Sequence, residues 1–391
     1  MNITFSTFTY YPSRNGVALV TQYLAEGLAD KGHRVTVICD SECASNCVEI
    51  INKVNIVRFD AQKEYEKHIR RKNKIKDVYL DLIIQSKPDA FICVCTQTWT
   101  IDWLKNSLEK IKCKKILYTH GFSGLYGYSG EMNNRMIYSL KKLKHRIKWD
   151  LYYSALQTTL GQFDYITHLS VANKSYSYLR DIGFKKNVII GNGVEELFFN
   201  NPVCERDKTA SRESNKKIRF IYVSNYGKGK NQKQLLRSFY EMKTDNTELL
   251  MIGTEANQYY RELIELKNEL EENEHSLRKV RILTGLSRSE ISDLMSDSDV
   301  CVIPSLMEAC SLALLEAAAK GMPIISYNVG NAHLVPGVVV INEFEELPYV
   351  MDALAEFPLL RVKAGETARL YAEKNARIST QVEKLEALLL G

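Results

Sequence analysis

Two carboxylates stand eight residues apart in the stretch Glu308-Ala309-Cys310-Ser311-Leu312-Ala313-Leu314-Leu315-Glu316. Glu308 precedes a helical run and Glu316 lies inside it, among Ala and Leu. A carboxylate in such surroundings is costly to bury without a partner. An ionised carboxylate accepts two hydrogen bonds, so a pair of ligand hydroxyls would suit it. The competing reading is a glutamate that emerges at the helix edge.

A second chemistry-bearing stretch is Ser224-Asn225-Tyr226-Gly227-Lys228-Gly229-Lys230-Asn231-Gln232. It follows a strand-like run and opens a helical one, and it holds two glycines and two lysines. Compliant backbone, helix dipole and ammonium charge are the ingredients of a diphosphate cradle. The glycine spacing and the missing Ser/Thr after Lys exclude a Walker loop. Two weaker signals lie earlier. Gly16, at the end of Tyr11-Pro12-Ser13-Arg14-Asn15-Gly16, stands where backbone N–H groups could approach a phosphate, although one loop glycine is usually a turn. His120 ends a strand-like run before Gly121. It can hydrogen-bond a sugar hydroxyl or shuttle a proton, against a structural histidine bonded to backbone.

The elements that position these residues follow from periodicity. Strand-like runs at 3–6, 34–39, 54–59, 90–95, 116–120, 165–170 and 187–190 alternate with helical patterns, notably 16–30 and 132–163. A polar, Pro-containing stretch at 200–217 interrupts them and reads as a linker. A second series follows, with strands at 218–224, 248–252, 280–284, 300–303 and 323–327, and only helices after Glu343. Ser287 with Glu290 has capping-box spacing. The expected fold class is α/β: two doubly wound, Rossmann-like domains facing a cleft. The expected domains are 1–200 and 218–375, with a terminal helix at 376–391 that can cross back to the first. Ligands of open parallel sheets bind at the carboxyl ends of strands, which is where the residues above fall.

At 391 residues, 45% apolar and 25% charged, the chain is an ordinary globular one, neither disordered nor a small disulfide scaffold. No window is long and apolar enough for a membrane span, and Met1 to Tyr10 reads as a strand rather than a signal peptide. Nine scattered cysteines fit a reducing cytoplasm. Cys39, Cys43 and Cys47 sit four apart, but without a fourth ligand nearby they read as free thiols, and no metal site is expected. The net charge of +5 is uneven: residues 1–200 hold 28 basic against 19 acidic residues, the remainder 24 against 28. The stretch Lys141-Lys142-Leu143-Lys144-His145-Arg146-Ile147-Lys148 runs into Trp149, Tyr152 and Tyr153. Such a mixture suits an anionic membrane surface, against a solvated helix face whose aromatics turn inward.

Taken together, these motifs resemble the retaining glycosyltransferases of the GT-B fold, most closely the large family-4 (group 1) set. The resemblance spans nearly the whole chain and is strongest over 218–331. Pro12 to Gly16 looks like the family's early Pro-x-x-x-Gly loop, followed by its helix-to-strand turn in Lys31-Gly32-His33-Arg34-Val35. Tyr118-Thr119-His120-Gly121 is similar to its strand-ending histidine, and Asn192-Gly193-Val194 to the close of its first domain. Glu308 to Glu316, continuing to Gly321, matches its specific E-x7-E signature. The resemblance implies that Glu316 binds the ribose of a nucleotide sugar and Glu308 the transferred sugar. It implies that backbone N–H groups at Cys310, Ser311 and Leu312 face sugar and diphosphate, and that Lys230 binds diphosphate. The family usually has an arginine five residues before that lysine; here the position is Asn225, so either Lys228 supplies the charge or the diphosphate is held less electrostatically.

By the same resemblance His120, Glu308 and Lys230 are the catalytic group, and transfer proceeds with retention. The donor is a nucleotide sugar, UDP-linked by preference, used as co-substrate with no cofactor and no metal. The acceptor, a glycan, a lipid-linked glycan or a protein, binds on the first domain; nucleic acid is not expected. The implied setting is cytoplasmic synthesis of bacterial-type surface glycans or glycoconjugates, peripheral on the inner face of an anionic membrane. Two other readings stay open: a non-catalytic nucleotide-sugar-binding subunit that assists a partner enzyme, and a sugar-nucleotide epimerase. A phosphorylase would need a cofactor lysine context that is absent.

Overall fold

A computed structural model of the chain describes residues 1–41, 47–67, 74–126, 135–205, 217–273 and 278–391. Cys43 and most of the expected linker lie outside the described residues. The chain forms two compact units: Met1–Gly191 with Ile378–Gly391, and Asn192–Arg377.

The first unit is built on an eight-stranded sheet. Its strands are β1 (Asn2–Thr7), β2 (Arg34–Asp40), β3 (Cys47–Ile51), β4 (Val54–Phe59), β5 (Ala90–Val94), β6 (Lys114–Tyr118), β7 (Tyr165–His168) and β8 (Asn187–Ile189). Their order is β3-β4-β2-β1-β5-β6-β7-β8, and every described pairing is parallel except β3 with β4. The run Ala-Phe-Ile-Cys-Val of β5 is buried throughout, as expected for a strand covered by helices on both faces. The edge strand β3 has no counterpart in the sequence expectations. Its Val48 and Ile50 are 74% and 71% exposed, so it offers no buried run to read. It reverses into β4 through Asn52 and Lys53, both at positive φ (49° and 67°), the backbone of a two-residue hairpin.

The second unit carries a six-stranded, all-parallel sheet in the order β11-β10-β9-β12-β13-β14. Its strands are β9 (Ile218–Val223), β10 (Thr247–Gly253), β11 (Lys279–Thr284), β12 (Val300–Ile303), β13 (Ile324–Tyr327) and β14 (Val338–Ile341). The capping box forms as its spacing suggests: Ser287 accepts from the Glu290 backbone N–H, and the Glu290 side chain accepts from Ser287 N–H. Strand order turns about β1 and β5 in the first sheet and about β9 and β12 in the second, so each unit has a switch point for ligand binding.

Residues 192–205, read from sequence with the first domain and the linker, belong to the second unit. Phe198, Phe199 and Val203 are buried in its core. Lys320, 1% exposed, donates from Nζ to the carbonyls of Leu197 and Asn200 at 3.3 and 2.9 Å and to Ser296 Oγ at 2.8 Å. The terminal helix Ile378–Leu390 packs in the first unit against helix Gly16–Asp30. The approach is close: a Cβ on Gly27 would stand 2.5 Å from Val382. Lys114 Nζ closes the helix by donating to the carbonyls of Leu388 and Leu389 at 3.1 and 2.9 Å. Leu385, on the same terminal helix, is 0% exposed. Leu385→Ala is therefore expected to lower the stability of the first unit by ~2–5 kcal/mol. Calorimetry checks this: the transition assigned to Met1–Gly191 moves down while that of Asn192–Arg377 stays in place.

The basic helix is a single element, Arg135–Leu160. Its aromatics turn toward the unit, although Lys148 still lies over the Trp149 ring at 4.4 Å. Tyr153 is fully buried and stacks on Phe122 at 4.4 Å, and Tyr152 donates to Asp102 at 2.8 Å. The inward-facing alternative therefore holds for the aromatics.

Candidate functional site

Both loops singled out from the sequence of the second unit lie at its switch point. After β9 the chain makes one 3-10 turn, Lys228–Lys230, and Asn231 adopts left-handed backbone (φ 57°, ψ 33°) before helix Gln232–Tyr240. Gln232, 1% exposed, folds back and donates from Nε2 to Ser224 Oγ and to the Asn225 carbonyl, both at 2.9 Å. Asn257 Nδ2 donates to the Tyr226 carbonyl at 2.8 Å. These bonds hold the backbone that Gly227 and Gly229 would otherwise leave loose.

After β12 the loop 304–311 leads into helix Leu312–Ala319, capped by Ser311, whose Oγ accepts from Leu314 N–H at 3.3 Å. The two loops are joined. Leu306 N–H donates to the Gly229 carbonyl at 2.9 Å, and the buried Tyr222 hydroxyl bridges Ser305 Oγ at 2.7 Å and the Lys230 carbonyl at 3.2 Å. From the far side Gly330, at φ 55°, lies so close that a Cβ there would stand 2.9 Å from the Glu308 carbonyl oxygen. Asn192 Nδ2 donates to the Cys310 carbonyl at 2.9 Å.

On this frame Lys230 Nζ meets Glu308 Oε1 at 2.6 Å, with side chains 32% and 13% exposed. The structure thus brings together two residues 78 positions apart in the chain. Asn225, at the position of the family's arginine, is exposed and accepts from Thr254 Oγ1. Lys228 is exposed; the Glu262 carboxyl is held low chiefly by its pair with Lys233, then by Gln258, and least by Lys228. Cys310 is half-buried; Ser311 is buried and Leu312 half-buried at the helix start.

Glu316 is buried as expected, at 2% exposed, and a protein side chain partners it. Arg288 reaches Glu316 Oε1 at 2.6 Å through one nitrogen and Glu195 Oε2 at 2.7 Å through Nε. Its guanidinium also lies 4.6 Å from the Phe198 ring centre. The sequence argument looked for a hydroxyl partner and missed Arg288. The demand for a counter-charge was legible in the apolar surroundings of Glu316. Only the capping box at Ser287 hinted at where an arginine would start a helix, and nothing in the spacing tied it to position 316.

In the first unit the candidate residues sit at strand ends too. Asn15 caps helix Gly16–Asp30 by accepting from Ala18 N–H at 3.0 Å, leaving Gly16 exposed at its first turn. Beside β5, Cys95 and Gln97 take positive φ (68° and 64°), strained backbone of the kind that clusters at functional loops. His120 follows β6, with Nε2 buried and without a hydrogen-bond partner among the described residues. Burial lowers its pKa to about 4, so the ring is neutral near pH 7. It can donate to or accept from a hydroxyl there, but it does not carry the charge of a general acid.

His168 on β7 is likewise lowered to about 4, chiefly by burial, with Nδ1 2.9 Å from Ser175 Oγ and Nε2 3.0 Å from Asn187 Oδ1. An unfolded histidine titrates near ~6.5, so between there and about 4 the unfolded chain binds more protons. Stability therefore falls as pH drops through that window. The melting temperature of the first unit is expected to fall between pH 7 and pH 5. His168→Gln should flatten that fall relative to the parent; an identical slope in both would contradict the assignment.

Cys39 does not read as a ligand: it is buried, accepts from Arg58 at 3.6 Å, and burial pushes its thiol up to about 12. Among the described residues no three His, Cys, Asp or Glu side chains converge on a point. Among the described residues no helix is long and apolar enough to cross a membrane.

Two family models match the chain in succession, Glycosyltransferase Family 4 over residues 14–196 and Glycosyl transferases group 1 over residues 204–340. Lipopolysaccharide glucosyltransferase WaaG of Escherichia coli is 32% identical over 148 residues, 36% of this chain and 37% of that protein. The Escherichia coli UDP-Gal:alpha-D-GlcNAc-diphosphoundecaprenol alpha-1,3-galactosyltransferase is 35% identical over 119 residues, 29% of each chain. The matches thus span about a third of these curated relatives. Among solved structures, sucrose-phosphate synthase from Thermosynechococcus elongatus superposes with a TM-score of 0.75 at 16% identity, over 99% of this chain and 98% of that one. Anabaena HepE in complex with UDP and glucose gives 0.69 at 14% identity, over 100% of both. At these identities the structural likeness speaks for the fold, and the family models speak for descent. The chain belongs to the group 1 glycosyltransferases and has their two-domain, Rossmann-like GT-B fold.

Proposed function

We propose that the protein transfers a sugar from a nucleotide sugar to a glycan, lipid-linked or protein acceptor, with retention of configuration and without a metal. The observation that carries this reading is the 2.6 Å pair of Lys230 and Glu308 beside the capped start of helix Leu312–Ala319. Breaking the anomeric bond leaves positive charge on the sugar and negative charge on the departing diphosphate. The Lys230 ammonium and the helix start at Cys310, Ser311 and Leu312 supply the compensating positive field. Lys228 adds charge that Asn225 lacks. Glu308 accepts hydroxyls of the transferred sugar, and Glu316 accepts ribose hydroxyls on the oxygen that Arg288 leaves available. Neutral His120 hydrogen-bonds a sugar hydroxyl, and Gly16 lets its loop approach the donor. A uridine donor is the first choice, since UDP appears in the name of one relative and in the descriptions of several structural neighbours.

The test is release of nucleotide from a set of nucleotide sugars, with and without candidate acceptors, in the presence and absence of EDTA. Acceptor-dependent release that survives EDTA, with an anomeric configuration that NMR finds unchanged, is the expected result. Binding without release would instead make the protein an assisting subunit, a reading that Asn225 favours by standing where the family has its arginine. Release with an altered free sugar and no acceptor would make it an epimerase.

A further inference from the structure

The loop that leaves β5 holds two non-glycine residues at positive φ, Cys95 at 68° and Gln97 at 64°. It lies at the switch point of the first sheet, beside the end of β6. Left-handed backbone is unfavourable for such residues and persists only where the surroundings hold it. Gln97 is held by two tyrosines. Its N–H donates to the Tyr152 hydroxyl and its Nε2 to the Tyr153 hydroxyl, both at 2.9 Å. Tyr152 donates in turn to Asp102 at 2.8 Å, and Tyr65 to the other Asp102 oxygen at 2.5 Å. The loop after β6 packs on the same group: Phe122 stacks on Tyr153, and a Cβ on Gly124 would stand 2.8 Å from Gln97 Nε2.

Cys95, 8% exposed, is bonded on both sides of Thr119. Its N–H donates to the Tyr118 carbonyl at 2.9 Å, and its thiol accepts from the His120 backbone N–H. Burial pushes that thiol up to about 12, so it stays neutral, a weak acceptor. A glycine would take this backbone without strain but would bring no acceptor. Thr119 between them is tied to the next strand, its Oγ1 donating to the Thr167 carbonyl at 2.7 Å. The backbone around His120 is thus fixed on two sides, while its buried Nε2 has no partner among the described residues.

We propose that Cys95 is a positioning residue for sugar transfer: by holding the Tyr118 carbonyl and the His120 N–H, it sets the direction in which His120 presents Nε2 to a sugar hydroxyl. The proposal rests on the reading of His120 as the residue that bonds that hydroxyl. A hydrogen bond to a reacting sugar is directional, so a small turn of the ring lowers the rate without much loss of binding.

The experiment compares Cys95→Gly, Cys95→Ala and Cys95→Ser with the parent and with His120→Ala. Amide hydrogen exchange, followed by NMR on the full chain, reads the contact directly. In Cys95→Gly and Cys95→Ala the His120 amide is expected to exchange ~10-fold faster, while Thr119, whose N–H goes to the Thr167 carbonyl, keeps its rate. On the nucleotide sugar that the release assay selects, kcat should fall ~10-fold in both, with KM changed less than ~2-fold. Cys95→Ser keeps an acceptor in place and should retain most of the turnover and of the protection. Stability should not follow activity: in Cys95→Gly the relief of left-handed strain offsets the lost thiol packing, and the melting temperature should stay within ~2 °C of the parent. Cys95→Ala added to His120→Ala should lower kcat no further, since the thiol acts through that ring. Unchanged exchange at His120 overturns the proposal. So does parental kcat in Cys95→Gly and Cys95→Ala while His120→Ala is slow, or an equal loss in Cys95→Ser, which would make shape and not the acceptor decisive. These results leave the reading of His120 in place. Parental kcat in His120→Ala instead removes that reading, and the proposal with it.

Discussion

Lys230→Ala is expected to lower turnover of the nucleotide sugar by ~100-fold or more, the scale of losing one preorganised donor to developing negative charge. The fold should survive. The Lys230–Glu308 pair is partly open to water, at 32% and 13% exposure, and pairs of that kind add little to stability. Glu308, still near the loop surface, can be rehydrated when its partner goes. Lys228→Ala, which removes an exposed charge, should cost less. Steady-state kinetics on purified variants decide the matter. If Lys230→Ala keeps near-parental turnover while Lys228→Ala does not, the diphosphate lies two residues from where we place it.

Removing the other half of the buried network should act on stability first. In Arg288→Ala the Glu316 carboxylate, 2% exposed, loses its counter-charge. Breaking such a pair costs about 3 kcal/mol, the lower end for buried pairs because Arg288 is 25% exposed. For a unit of this size that is a fall of about 6–12 °C in melting temperature. Arg288→Met/Glu316→Leu removes the most deeply buried charge and leaves only Glu195, whose side chain is 23% exposed, to be hydrated, so it should regain most of the loss, as apolar replacements of buried pairs often do. It should not regain nucleotide binding. UDP is expected to raise the melting temperature of the parent and leave that of the double variant unchanged. If UDP stabilises both equally, Glu316 does not bind ribose.

The strands and helices that carry the site were legible because each has a strong local signal. β12 is an uninterrupted apolar run, β9 and β10 carry apolar runs broken only near their starts, by Arg219 and by Thr247 and Glu248, and the helix after Ser287 begins with a capping box whose spacing is itself the signal. β3 was not legible. Its apolar residues face solvent and its turn lacks glycine, so neither burial nor composition marks it. Residues 192–199 were read as the close of the first domain and 200–205 as the start of a polar linker, while what binds both is non-local: Phe198 and Phe199 in a core formed mostly by later residues, and Lys320 donating to carbonyls 120 and 123 positions away.

By itself the sequence determined the α/β class, the alternation of elements and the identity of the charged residues near strand ends. Those are matters of period and composition, and they act over a few residues. Tertiary structure alone decided the pairings: Lys230 with Glu308, Arg288 with both Glu195 and Glu316, and Tyr222 with Ser305 beneath the two loops. It also decided which side of the basic helix is buried, turning Trp149, Tyr152 and Tyr153 inward and leaving Leu140, Leu143, Ile147 and Leu151 outside. Both of that helix's faces are apolar, so its periodicity permits either orientation. Only packing against the first unit's core, where Tyr153 stacks on Phe122, selects one.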